Sequence, residues 1–253
     1  MSDGGGLGGG QVEGLHAVLE LLRAGRRAVR SVHVSRSADG DDALAEIEAL
    51  AGPRLKRVPP ERLAALAKSE THQGVVAIAE PLRAADLDAL LAAPRAFLVA
   101  LDGVTDPQNL GAVARSAETA GATGLLLPRH RSAQITPVVA KAAAGAIEYL
   151  PIAPVSGIPA ALERAARAGV WSVGLDERGE QSLFDLSLAD QPIVIVLGAE
   201  GRGLARLTRE RCDVLVGIPM RGHVASLNVA AAAALACHEV ARRRPTMDAS
   251  SPG

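Results

Sequence analysis

Ile193-Val194-Ile195-Val196-Leu197-Gly198-Ala199-Glu200-Gly201-Arg202-Gly203 is the stretch on which the fold is decided. Its first five residues are apolar without alternation, so an extended segment here buries both of its faces. The three glycines around Glu200 then open a turn where such a strand ends. A short apolar run closed at once by turn residues is a strand of a parallel sheet covered on both sides.

The same pattern recurs outward from this stretch. Ala96–Leu101, Thr123–Leu127, Ile147–Ile152, Val170–Leu175 and Val214–Ile218 are predicted strands. Helices are predicted between them at Asn109–Ala120, Thr136–Ala144, Ile158–Ala168 and a short one near Leu204–Arg211. A last, alanine-rich helix runs from Ser226 to Arg244 and is stopped by Pro245. Upstream, Val12 to Glu80 alternates helix and strand on a smaller scale. Helices are expected at Gly14–Ala24, Asp41–Ala51 and Pro60–Ala67, and strands at Val29–Ser35, Leu55–Val58 and Gly74–Ala79. The chain thus reads as an α/β protein of two units, residues 11–80 and 96–244, joined by a proline-bounded linker at 81–95. Residues 1–10 (MSDGGGLGGG) and 245–253 are expected to be disordered tails.

Composition narrows the classes. Of 253 residues 48% are apolar but only 2% aromatic, so alanine and branched aliphatics must fill the core. No run of about 18 apolar residues exists to cross a membrane, and the start lacks the regions of a signal peptide. Cys212 and Cys237 stand far apart without metal-ligand spacing, which argues against a disulfide or a zinc site and leaves the cytoplasm as the expected location. Lys and Arg number 27 against 28 Asp and Glu, so any nucleic-acid surface must be a local patch. Arg23, Arg26, Arg27 and Arg30 form one such candidate, and Arg129 with Arg131 another; solvated faces explain either group equally well.

Ligands of open parallel sheets bind beyond the carboxyl ends of the strands. Three predicted strand ends carry unusual sequence: Leu101–Gly111 leading into the helix with Arg115, Leu197–Gly203, and Ile218–Asn228. Each has a plainer reading. Asn109 and Ser226 suit helix N-caps. Gly111, one turn before Arg115, could open a surface for its guanidinium. The glycines around Glu200 could be only a turn.

Together these three segments resemble the SpoU (TrmH) family of RNA 2′-O-ribose methyltransferases. The first motif is Asn109 with Arg115 six residues on, the second the strand ending in G-x-E-G-x-G, and the third Ile218-Pro219-Met220 followed by Ser226-Leu227-Asn228-Val229. They fall in family order within residues 96–244. In the front unit, Gly14–Val18 and Thr71–Ala77 look like the RNA-binding domain of the branch that modifies guanosine in 23S ribosomal RNA. LDGVTDPQNLGA, from Leu101, and RSAQ at Arg131–Gln134 look like that branch too.

The resemblance implies a SPOUT-type sheet with a C-terminal trefoil knot, S-adenosyl-L-methionine as cofactor, and a homodimer with the last helix as an interface element; no metal is implied. It implies that backbone around Leu197, Gly198, Gly203, Ile218, Met220 and Leu227 cradles the cofactor. It assigns catalytic work to Asn109, Arg115, Glu200, Ser226 and Asn228. A guanidinium is far too basic to be an ordinary general base, so Arg115 is read as a clamp on the target phosphate, with proton acceptance by Arg115 or Glu200 as alternatives. The expected activity is methyl transfer to a guanosine ribose of large-subunit ribosomal RNA. A tRNA guanosine or ribosomal adenosine target, or a silent RNA-binding protein on the same fold, are the rivals. A dinucleotide oxidoreductase is disfavoured, because GxGxxG is missing after the first strand.

Overall fold

The computed structural model describes residues 7–38, 42–130, 133–224 and 226–244. The expectations for residues 1–6 and 245–253, for a helix start at Asp41 and for Arg131 lie outside them.

The N-terminal unit runs β1 (Gln11–Glu13), α1 (Leu15–Ala24), β2 (Val29–Ser35), α2 (Asp42–Ala51), β3 (Leu55–Val58), α3 (Pro60–Leu66) and β4 (Val75–Ala79). Its strands lie in the order β1-β4-β2-β3, with only the β2–β3 pair parallel. Alternation along β2 sends Val32 and Val34 into a core shared with Leu21 of α1 and Ile47 of α2. Strand β1 escaped the sequence reading because it is three residues long and includes the buried carboxylate of Glu13. That carboxylate is satisfied by Gln11 Nε2, the Lys68 and Ser69 amides and the Ser69 hydroxyl, at 2.6–3.1 Å.

The larger unit continues with α4 (Leu87–Leu91), β5 (Phe97–Asp102), α5 (Pro107–Thr119), β6 (Gly124–Pro128), α6 (Pro137–Ala142), β7 (Ile152–Val155), α7 (Ile158–Arg167) and β8 (Trp171–Leu175). It closes with β9 (Gln181–Ser182), β10 (Ile193–Gly198), α8 (Arg206–Arg211), β11 (Val214–Gly217) and α9 (Val229–Arg243). Seven strands form one parallel sheet in the order β7-β6-β5-β10-β8-β11-β9. Along β10, Ile193, Ile195 and Leu197 enter one core while Val194 and Val196 enter the core on the opposite face. The two-sided apolar reading of this strand is therefore met residue by residue. Each such side chain contributes about 1.5–3 kcal/mol by burial, so a charge in mid-strand would break the sheet.

Several expectations are corrected. Residues 7–10 are not a loose tail: Leu7 N bonds Leu82 O at 3.0 Å, and Gly8 bridges Ile135. The strand placed at Ile147–Ile152 begins only at Ile152. Before it, Ala146–Glu148 makes a single 3-10 turn that turns Glu148 into the interior. Pro154 is tolerated because β7 is an edge strand. The last helix starts at Val229, not Ser226, because the Asn228 side chain, rather than Ser226, caps it through Ala230 N.

Both cysteines are free; Cys237 is buried on α9, and burial pushes its thiol up to about 12. Among the described residues no helix is long and apolar enough to cross a membrane, and no His, Cys, Asp and Glu cluster could hold a metal.

Candidate active site

The loops after β8, β10 and β11 meet at the carboxyl edge of the sheet, as expected where neighbouring parallel strands leave unpaired backbone. They enclose a cleft of about 320 Å³ together with the first turn of α9. Leu197, Gly198, Gly203, Ile218, Met220 and Leu227, all anticipated for the cofactor, line it, as do Glu200 and Ser226. The β10 turn is unusually tight: Ala199 and Gly203 exchange backbone bonds of 3.1 and 2.8 Å. A Cβ on Gly198 would stand 2.1 Å from the Gly203 carbonyl carbon, so no larger residue can occupy that position.

At the rim, three motif residues converge. Helix α5 is capped by Asp106, whose Oδ1 accepts from Gln108 N at 2.9 Å, and Pro107 sits at its first position. Asn109 is therefore in the first turn, not the cap, and is almost fully buried. Its Nδ2 donates to Asp106 Oδ2 at 3.2 Å and to Glu200 Oε1 at 3.1 Å. From α9, Asn228 Nδ2 donates to the same Glu200 Oε1 at 2.6 Å and to Asn109 Oδ1 at 3.1 Å. Two amides thus fix one carboxylate oxygen, while Oε2 makes no hydrogen bond among the described residues. Hydrogen bonds of this kind fix the orientation of a carboxylate.

Arg115 stands apart. It lies six residues beyond Asn109, about 9 Å along the helix axis and on another face. It is exposed, does not line the cleft, and its guanidinium has no partner among the described residues. Gly111 does not open a surface for it either. A Cβ there would lie 2.5 Å from Ala142 Cβ and 2.7 Å from Val139 O, so this glycine lets α6 press against α5. Of the candidate basic patch on the front unit, Arg23 pairs with Glu20 and Glu46, Arg26 donates to Tyr149 O and Arg27 is buried against Glu148, while Arg30 is exposed and its side chain has no partner among the described residues.

Sequence reading missed three residues. Asp106 orients Asn109, and Asp-Pro at a helix start was the available signal. Asp176, buried after β8, accepts from Arg209 Nε at 2.6 Å, and both line the cleft. Their pairing joins segments 33 residues apart and leaves no local pattern.

Residues 96–238 match the SpoU rRNA Methylase family, and residues 11–85 match the family described as RNA 2′-O ribose methyltransferase substrate binding. The chain is 42% identical over 242 residues to the 23S rRNA (guanosine-2′-O-)-methyltransferase RlmB of Ralstonia nicotianae, spanning 93% of this chain and 96% of that one. The Pseudomonas putida protein of the same name is 41% identical, with 92% and 96% covered. Among solved structures, the SpoU methyltransferase AviRb from Streptomyces viridochromogenes, in complex with AdoMet, superposes with a TM-score of 0.76 at 28% identity, covering 92% of this chain and 89% of AviRb. On these matches, the chain belongs to the SpoU rRNA methylase family.

Proposed function

We propose that the chain transfers the methyl group of S-adenosyl-L-methionine to the 2′-hydroxyl of a guanosine ribose in large-subunit ribosomal RNA. The observation that carries this reading is the convergence of Asn109, Glu200 and Asn228 on the rim of the glycine-turned cleft. The near full-length likeness to enzymes named for this reaction supports the choice of RNA. The cleft suits the cofactor: Leu197, Ile218, Met220 and Leu227 supply an apolar wall for an adenosine, and Asp176, Glu177 and Glu200 alternate with Arg178, Arg202 and Arg209, a mixed lining suited to a methionine group that carries both an ammonium and a carboxylate.

The bound cofactor contributes an electrophilic methyl on sulfur. The residues of the chain do the rest. Asn109 and Asn228 fix Glu200, whose free Oε2 accepts a hydrogen bond from the ribose and turns the 2′-oxygen toward the cleft. Ser226, exposed beside it, is a second polar contact to the ribose. The cradle is backbone at Gly198 and Gly203, where side chains would obstruct approach. Arg115, whose guanidinium has no partner among the described residues, clamps the phosphate of the target nucleotide and lowers the cost of alkoxide formation.

Residues 11–80 would hold the RNA and 96–244 would perform the transfer. We further propose a cytoplasmic homodimer, for which the exposed Met220, Val224, Leu227 and Leu235 offer an apolar contact, and a trefoil knot formed by the segments after β10 and β11.

The test is transfer of labelled methyl from S-adenosylmethionine to unmodified large-subunit RNA and to bulk tRNA, with mapping of the ribose. Label on one guanosine of the ribosomal RNA is expected. Label on tRNA or on a ribosomal adenosine would overturn the substrate but keep the chemistry, and failure to bind the cofactor would leave a silent RNA binder. Arg115→Ala should abolish transfer while sparing cofactor binding, and near-normal methylation would remove it from the mechanism.

A further inference from the structure

The two units meet along a seam that the established family likeness does not explain. At its centre Arg27, on the turn between α1 and β2, faces Glu148, on the turn after α6, with side-chain exposures of 6% and 2%. The pair is bidentate: Nε donates to Glu148 Oε2 at 2.8 Å and Nη2 to Oε1 at 2.6 Å. The remaining nitrogen, Nη1, donates to Gly9 O at 2.6 Å and Glu80 O at 2.7 Å. One guanidinium therefore ties the first residues of the fold, the end of the front unit and the catalytic unit together. Around it, Arg26 Nη1 donates to Tyr149 O at 2.7 Å and Lys141 Nζ to Thr71 O at 2.6 Å.

Glue alone does not require such a pair. Desolvating two charges costs several kcal/mol per ion, and apolar residues of similar size usually hold an interface as well. The seam already has apolar contact, because one continuous core includes Val12 and Val18 of the front unit with Val113, Val139 and Ile147 of the other. A bidentate, fully satisfied pair adds orientation, since it tolerates only one geometry.

That orientation leads to the site. Glu148 follows α6, α6 presses on α5 at Gly111, and Gly111 is two residues from Asn109. We propose that Arg27 is a positioning residue for methyl transfer: its latch to Glu148 fixes the RNA-holding unit relative to the cleft and so sets which ribose reaches Glu200. The proposal rests on the front unit holding the RNA.

Steady-state methylation of large-subunit RNA, cofactor affinity and mapping of the methylated ribose, measured on Arg27→Met, test it. The RNA KM should rise about tenfold, with kcat changed by about twofold at most and cofactor Kd unchanged, and label should spread to neighbouring riboses. In Arg27→Met/Glu148→Met, with no lone buried carboxylate, KM should recover only partly and the label should stay spread, because packing returns without the fork. A folded Arg27→Met with the parent's KM and a single labelled ribose overturns the proposal. So does a loss shared equally by cofactor Kd, which a merely structural role would give. Should Arg27→Met not fold, Arg26→Ala/Lys141→Ala weakens the partly exposed rim of the seam, where about a threefold rise in RNA KM is expected and none would overturn it. Transfer by the parent protein is the control: its absence defeats the functional reading, and its presence with unaltered variants defeats only the latch.

Discussion

Arg27 and Glu148 meet out of water, each satisfied by its partner or by backbone carbonyls, whereas Glu200 is exposed and only one of its oxygens is engaged. Glu148 and Glu200 are both carboxylates in charge-assisted bonds, yet they sit at opposite ends of the energetic scale. At the seam, removal of either partner strands a buried charge. At the site, solvent can replace whatever is lost, so the carboxylate is tied by amides rather than by a cation and keeps a free oxygen. The two carboxylates thereby differ in what their loss exposes: a stranded buried charge at the seam, an open position for solvent at the site.

The sharpest way to break that division is at the seam. Arg27→Met should cost about 3–5 kcal/mol of unfolding free energy, read from denaturant melts, and Arg27→Met/Glu148→Met should recover most of it. A loss under about 1 kcal/mol would mean that water reaches the pair. At the site the pattern should invert. Glu200→Ala is expected to lower methyl transfer about 10²-fold while shifting unfolding by less than about 1 kcal/mol. A large melting change there would make Glu200 a structural group.

A finer test replaces one amide of the site. Asn109→Asp sets a second carboxylate beside Glu200 Oε1, so the two compete for one proton and transfer should fall about tenfold at neutral pH. Partial recovery on mild acidification would confirm the contact, and a flat pH profile would deny it.

The smallest effect is expected at α9. Glu239, bonded to Arg242 and also to Arg243, has its carboxyl held down at about 2 from the usual 4.5. A depressed carboxyl stabilises the fold above its unfolded value and loses that contribution as pH falls from 4.5 toward 2. Glu239→Gln should therefore lose about 1 kcal/mol at neutral pH and match the parent near the lower limit, as thermal melts at several pH values would show.

How far the sequence reached follows the same divide between local and distant causes. The strands of the large sheet were legible because β5 and β10 are apolar on both faces, a property of consecutive residues. Strand β1 was not, since its buried Glu13 is explained only by amides 55 and 56 residues away. The displaced strand after α6 has the same origin: Glu148 is inside because Arg27 is there, 121 residues earlier. The arginines of the front unit looked like a surface patch for want of that partner. In the site, Asn109, Glu200 and Asn228 were marked by motif and meet in space. Asp106 lay inside the quoted LDGVTDPQNLGA stretch but was given no role, and Asp176, whose partner Arg209 is 33 residues on, carried no motif. Arg115 was marked with the rest but is exposed and does not line the cleft.

The hydrogen-bonded set at the rim also constrains the order in which the molecule can come alive. Asn109, Glu200 and Asn228 are separated by 91 and 28 residues, and β10 must pair between β5 and β8 before Glu200 is in place. Contacts this distant along the chain form late and slowly. The front sheet pairs residues no further on than Ala79, so its strands can meet before the segments that build the site have come together.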